Sequence, residues 1–205
     1  MITDLLRLTQ WLSPAFPLSG YAYSHGLEAA MAEGRVRDAE TCRAWTETVL
    51  RRGTGALDAW AIRRVLAGDD PEEVADVIRA RAGCAERWTE TRDMGAAFEA
   101  AATAMGEPER GTHPLPVALA LRARGMEAET VAALYLQSLA AQIVSAATRF
   151  LPLGQTEAQA VLRDLHPVIA EIAALDALEP PVGGALLAEL DAMAHETLQP
   201  RIFRT

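Results

Sequence analysis

The 205-residue chain contains no lysine and no asparagine. All 19 basic residues are therefore arginines, and lysine-dependent chemistry is excluded. A Schiff-base enzyme or a Walker-type nucleotide hydrolase needs that amine. Cysteine is almost as scarce: Cys42 and Cys84 cannot form a disulfide framework, which fits a reducing, cytoplasmic setting. Positive charge is in deficit, with a formal net charge of −9, against non-specific nucleic-acid binding, which depends on neutralising phosphates. Aromatic residues make up only 5% of the chain, so alanine and leucine must supply most of the packing. The opening "MITDLLRLTQWLSP" lacks the basic start and apolar run of a secretory signal.

What is present reads as helix. Half the residues are hydrophobic and 23% are charged, as in a soluble globular domain. Alanine and leucine lead the helix scale, and the β-branched residues favoured by strands are sparse. Leu5, Leu8 and Leu12 share one helical face, and Pro14 and Pro17 stop that helix. Ser24 is placed to cap a second helix that ends at Gly34. Asp38 opens a third towards Ala67, interrupted near Gly53 and Gly55. "DDPEE" at 69–73 is a strong start signal for a helix that reaches about Met105, with a break at Gly83. Further helices are expected at 114–124, 127–149, 157–178 (with Thr156 and Gln159 at capping-box spacing) and 185–198. No repeat and no separating linker appears. The expectation is all-α: a single-domain helical bundle of about eight to ten helices, with a tail at 199–205 that orders on a partner if it is disordered alone.

Few residues carry chemistry. "AYSHG" around Ser24 resembles a nucleophile elbow, but no strand precedes it and Ala22 holds the place of the first glycine. The four histidines lack the spacing that puts two metal ligands on one helix face. "RRGTGALD" at 51–58 has Gly-x-Gly without the preceding strand or lysine of a nucleotide site. The acidic pairs at 69–73 are explained by helix-start electrostatics. Residues 130–148 carry no charge, near the length that crosses a bilayer; Gln137, Ser138, Gln142 and Ser145 interrupt the span and favour a buried central helix. A small serine hydrolase using Ser24 and a membrane-associated protein using 130–148 stay open as alternatives.

The irregular stretch "SPAFPLSGYAYSHGLEAA" at 13–30 combines a glycine in the first turn of a helix with tyrosines on a proline-pinned segment. Such local rule-breaking marks functional or strained positions, and tyrosines on rigid turns anchor interfaces. Together with "ERWTETRDMGAAF" (86–98), "SAATRFLPLGQTEAQAVL" (145–162) and the terminal "RIFRT", in that order, it resembles the UreF family of urease accessory proteins across the whole chain. The resemblance implies an all-α, non-enzymatic homodimer that bridges UreD (also called UreH) to the GTPase UreG and delivers nickel to apo-urease (UreABC). No cofactor is implied for this chain itself, since nickel and GTP are handled by the partners; no nucleic acid or membrane is involved. By carry-over, Gly20, Tyr21, Tyr23, Ser24, Gly26, Leu27 and Glu28 match the first block, and Arg149, Gly154, Gln155 and Thr156 the third. Arg201, Phe203 and Arg204 belong to the tail. These are the expected partner-binding residues. Ser19 stands where the family pattern has glycine.

Overall fold

Asp38 and Asp70 start helices as their sequence contexts predict. In the computed structural model, which describes residues 2–18 and 20–205, the Asp38 carboxylate accepts from the Thr41 amide at 2.8 Å and the Thr41 hydroxyl accepts from the Asp38 amide at 3.1 Å. This reciprocal box opens a helix. Asp70 accepts from the Glu72 amide at 2.9 Å, with Pro71 in the first turn.

The described residues form ten α-helices and a short 3-10 turn at Gly20–Ala22, with no strand. In order they are α1 (Ile2–Trp11), α2 (Leu27–Ala32), α3 (Ala39–Arg52), α4 (Thr54–Ala67), α5 (Pro71–Ala80), α6 (Ala85–Ala104), α7 (Leu115–Arg122), α8 (Ala128–Ala147), α9 (Gln155–Ala174) and α10 (Leu186–His195). The fold class is all-α, as expected.

The interruption expected near Gly53 and Gly55 separates two helices at Gly53, and the break expected at Gly83 separates two more at 81–84. Other boundaries depart from the sequence reading. The cap of α9 is Gly154 rather than Thr156: Glu157 reaches back to accept from the Gly154 amide at 3.4 Å. Ser24 is not the N-cap residue of α2, although its hydroxyl accepts from the Glu28 amide in the first turn at 3.3 Å. That position belongs to Gly26, whose φ of 83° is left-handed, a conformation that favours glycine. Gly26 is therefore outside the helix rather than a destabilising residue within it. Ser19 lies outside the described residues.

Helix α8, uncharged after Glu129 in its first turn, is long and apolar enough to cross a membrane by length and composition alone. It is the central element of the bundle, packed against α9, α4 and α3, with the N-terminal elements on another side. Its Val131, Leu136, Ile143 and Val144 are buried in a core shared with Leu50, Ile62, Leu119 and Leu165. Each fully buried side chain of this kind contributes about 1.5–3 kcal/mol, which accounts for the apolar run without a bilayer. At one crossing, α6 meets the start of α7 so closely that a Cβ on Gly95 would fall 1.9 Å from the His113 carbonyl oxygen. The glycine at position 95 of the second block is thus a packing requirement.

Candidate functional site

The irregular N-terminal segment and the C-terminal tail, almost the full chain apart in sequence, are packed together. The Thr205 main-chain oxygen accepts from the Ser24 amide at 2.8 Å and also from the Ser24 hydroxyl. The Arg204 amide donates to the Ala22 carbonyl at 2.7 Å. One turn further, the buried Glu28 carboxylate accepts from the Ile202 amide at 2.8 Å and from the Phe203 amide at 2.9 Å. A serine and a glutamate four residues apart on the first block therefore read the tail's backbone. Backbone groups pulled into a protein interior need such partners.

The third block closes the other side. Arg149 donates to the Tyr21 carbonyl at 2.8 Å, and its guanidinium lies 5.5 Å from the Phe203 ring centroid, a cation–π placement. Phe150 and Phe203 have ring centroids 5.8 Å apart. Phe203 is thereby buried, while Arg201, Ile202 and Arg204 remain exposed. Gly154, Gln155 and Thr156 are exposed at the start of α9 and make no hydrogen bond to the tail or the first block.

The second block supplies charged residues that the sequence reading did not single out. Glu86 takes Arg201 at 2.5 Å and His195 at 2.8 Å, and Glu90 accepts the Thr205 hydroxyl at 2.7 Å. Arg87 is paired with Glu90. The i, i+4 spacing of Glu86 and Glu90 was visible as one helix face; its buried orientation was not. Burial works to raise the Glu90 carboxyl, but the Arg87 guanidinium, with the hydrogen bond from Thr205, outweighs it and holds the group below its ordinary value.

His25, next to Ser24, turns away from it. Its Nδ1 lies 2.8 Å from the Arg87 guanidinium, and its Nε2 lies 3.1 Å from Glu90 Oε1. Arginine only donates, so Nδ1 must accept and the ring must be neutral. Burial, with Arg87 nearby, pushes its pKa down to about 4. Asp58, which accepts from the Tyr135 hydroxyl at 2.7 Å, is pushed up to about 6 by burial. Ser24 is fully buried and its hydroxyl is committed to the tail, with no imidazole against it. The nucleophile–base geometry of a hydrolase is not formed here. Among the described residues, no three His, Cys, Asp or Glu side chains converge as a metal-ligand set.

The charged core of this cluster separates two cavities. His25, Arg87 and Thr91 line both. The larger, about 500 Å³, is walled mainly by apolar residues of the 12–18 segment, α6 and α8, with Tyr21 and Arg149 also in its lining.

The chain has a family model match over residues 36–166, to the UreF model. The chain belongs to the UreF family of urease accessory proteins. Among its relatives, the urease accessory protein UreF of Dinoroseobacter shibae is 49% identical over 210 residues, covering all of both chains. That of Cereibacter sphaeroides is 51% identical, again over both full lengths. That of Jannaschia sp. is 49% identical over 98% of this chain and 94% of the relative. In UreF-family terms, the first, second and third blocks and the tail converge on one polar cluster. The expected site residues divide there into buried organisers (Tyr23, Ser24, Gly26, Leu27, Glu28 and Phe203) and exposed ones (Tyr21, Arg149, Arg201 and Arg204), with Gly20 half-buried beside the cavity.

A further surface had no counterpart in the sequence reading. Helix α10 turns Ala188, Asp191, Ala192 and His195 inward and leaves Leu186, Leu187, Leu190 and Met193 exposed along one outward stripe. Gly26 permits this approach, because a Cβ there would fall 2.7 Å from the Ala192 amide nitrogen.

Proposed function

We propose that this chain is a non-enzymatic scaffold of urease maturation in the cytoplasm. As a homodimer it bridges UreD (UreH) and the GTPase UreG for nickel insertion into apo-urease, and it gates or modulates GTP hydrolysis by UreG. It binds neither nickel nor GTP as a cofactor of its own. The observation that carries this reading is the buried cluster of Ser24, Glu28 and Glu90 with the tail, which holds Tyr21, Arg201, Ile202 and Arg204 at an exposed border. The arrangement has the character of an interaction surface: aromatic and arginine side chains presented on a rigid support. The exposed apolar stripe of α10 adds to it, since large apolar side chains aligned in solvent mark protein contacts.

The test is co-elution with light scattering, using the full chain, its UreD-type partner and the UreG-type GTPase with GTP and nickel. The chain alone is expected at twice its 22.0 kDa mass, and the mixture as one stoichiometric complex. A Tyr21→Ala/Arg204→Glu variant, altered only at exposed side chains, is expected to fold and to lose the complex. Separate elution in every mixture would overturn the scaffold reading. Undiminished assembly by the variant would remove the tail border as the contact.

A further inference from the structure

His195 is fully buried on the inner face of α10 with a carboxylate against each ring nitrogen. Nε2 lies 2.9 Å from Glu28 Oε2, and Nδ1 lies 2.8 Å from Glu86 Oε2. Ionised carboxylates only accept, whereas a neutral imidazole offers one N–H and one lone pair. A neutral ring between two carboxylates therefore makes one bond and sets a lone pair against an anion on the other side. Both contacts form only when the three groups together hold one proton more than a neutral ring and two carboxylates. His25 is the opposite case, since a guanidinium at its Nδ1 requires a neutral ring.

The same two carboxylates hold the tail. Glu28 accepts the Ile202 and Phe203 amides, and Glu86 holds Arg201. The charged groups facing His195 are Glu28 from α2, Glu86 from α6 and, through Glu86, Arg201 from the tail. On α10 itself, Asp191 lies one turn earlier and is engaged by Arg35 and Trp45. Glu196, just beyond the helix, accepts the Ala85 amide at 2.9 Å and the Glu86 amide at 3.2 Å. Loss of the extra proton leaves Glu28 and Glu86 with Arg201 as their countercharge, and with one buried contact turned repulsive.

We propose that His195 is a positioning residue that acts as a proton-dependent latch, locking α10 and the tail onto Glu28 and Glu86 when the triad holds its extra proton. The latched state binds more protons than the released one, so it is favoured at low pH and weakens as pH rises. This inference concerns the isolated chain and stands apart from which partners it binds.

Native-state hydrogen exchange of the Ile202 and Phe203 amides tests it, measured on the full chain by NMR at a series of pH values from roughly pH 5 to pH 8. After correction for base-catalysed intrinsic exchange, protection of both amides is expected to fall about tenfold, on the scale of one charge-assisted hydrogen bond. Core amides of α8 are expected to keep theirs. In Glu86→Gln, the new amide can donate to a neutral His195 Nδ1 while its oxygen still accepts Arg201, so protection is expected to persist and to lose its pH dependence. His195→Gln, which cannot donate to two carboxylates in this geometry, is expected to show low protection at every pH and serves if the first variant does not fold. A pH-independent wild type, or a variant with the wild-type pH profile, would overturn the latch.

Discussion

Helices α8 and α10 are both rich in leucine and alanine, yet they use their apolar residues in opposite ways. Helix α8 buries Val131, Leu136, Leu139 and Ile143 at the centre of the bundle. Helix α10 buries two alanines, an aspartate and a histidine, and shows its leucines to solvent. The first is held by non-directional burial, which tolerates small shifts. The second is held by directional contacts: Asp191 with Arg35 and Trp45, and His195 with Glu28 and Glu86. Docking of that kind is specific, and it fails as a unit when one partner is lost, because the remaining buried groups are left without partners. Apolar content therefore does not say which helix is core; the face it occupies does.

The strongest way to break the scaffold side of this contrast is Gly95→Ala. The added Cβ would meet the His113 carbonyl at 1.9 Å and the Leu115 amide at 2.9 Å, both backbone atoms that cannot rotate away. We expect a loss above about 4 kcal/mol, or no folding, by chemical denaturation; a loss below about 1 kcal/mol would show that α6 and α7 can separate freely.

Glu28→Ala attacks the polar side. It strands the Ile202 and Phe203 amides and His195 in a buried site, at about 3–5 kcal/mol. Hydrogen exchange should place the damage in residues 186–205 and spare α8, a subglobal opening. Uniform loss across both helices would erase the distinction between them.

A third prediction uses pH. His25 has its pKa lowered to about 4, so the folded state binds fewer protons there than the unfolded one. Its contribution is present above the ordinary histidine value and is lost as pH falls through about 4. Asp58 is raised to about 6, so its contribution has the opposite slope, present at low pH and lost as pH rises through about 6. The two offset each other between those values. Asp58→Asn keeps an acceptor for Tyr135 and unmasks His25. Its stability should fall more steeply than wild type on acidification, by about 2 kcal/mol, in thermal melts taken across that range. Parallel pH profiles would contradict the assigned shifts.

The smallest stability effect is expected at the outer face of α10. Leu190→Ser should change the stability of the isolated chain by less than about 0.5 kcal/mol, while weakening assembly with the partners at least about tenfold by titration. A stability loss of about 2 kcal/mol would mean that this stripe is packed within the chain after all.

Most helices were readable because their signals are local. Asp38, Asp70 and the prolines act on neighbours within one turn, and the uncharged run of α8 declares its burial by composition. Gly26 was misread for the same reason: a glycine beside a helix start looks like a poor helix residue until α10 is seen to lie against it. The site was legible only in outline. The four blocks were visible as irregular or distinctive segments, but nothing local pairs Ser24 with Thr205 or Glu28 with Phe203, and Glu86, Glu90 and His195 read as ordinary helix residues. Gly154, Gln155 and Thr156, distinctive in sequence, begin a helix away from the tail's hydrogen bonds.

By itself, the sequence determined the all-α class, the exclusion of lysine chemistry, the main helix starts and the central place of α8. These follow from propensity, caps and hydrophobic pattern, which act over a few residues. Only the tertiary structure decided that the tail is read by a serine and a glutamate near the other end of the chain, that His195 stands between two carboxylates, and that α10 faces outward. Those outcomes depend on which groups more than 100 residues apart must satisfy one another once water is excluded, a condition that no local pattern encodes.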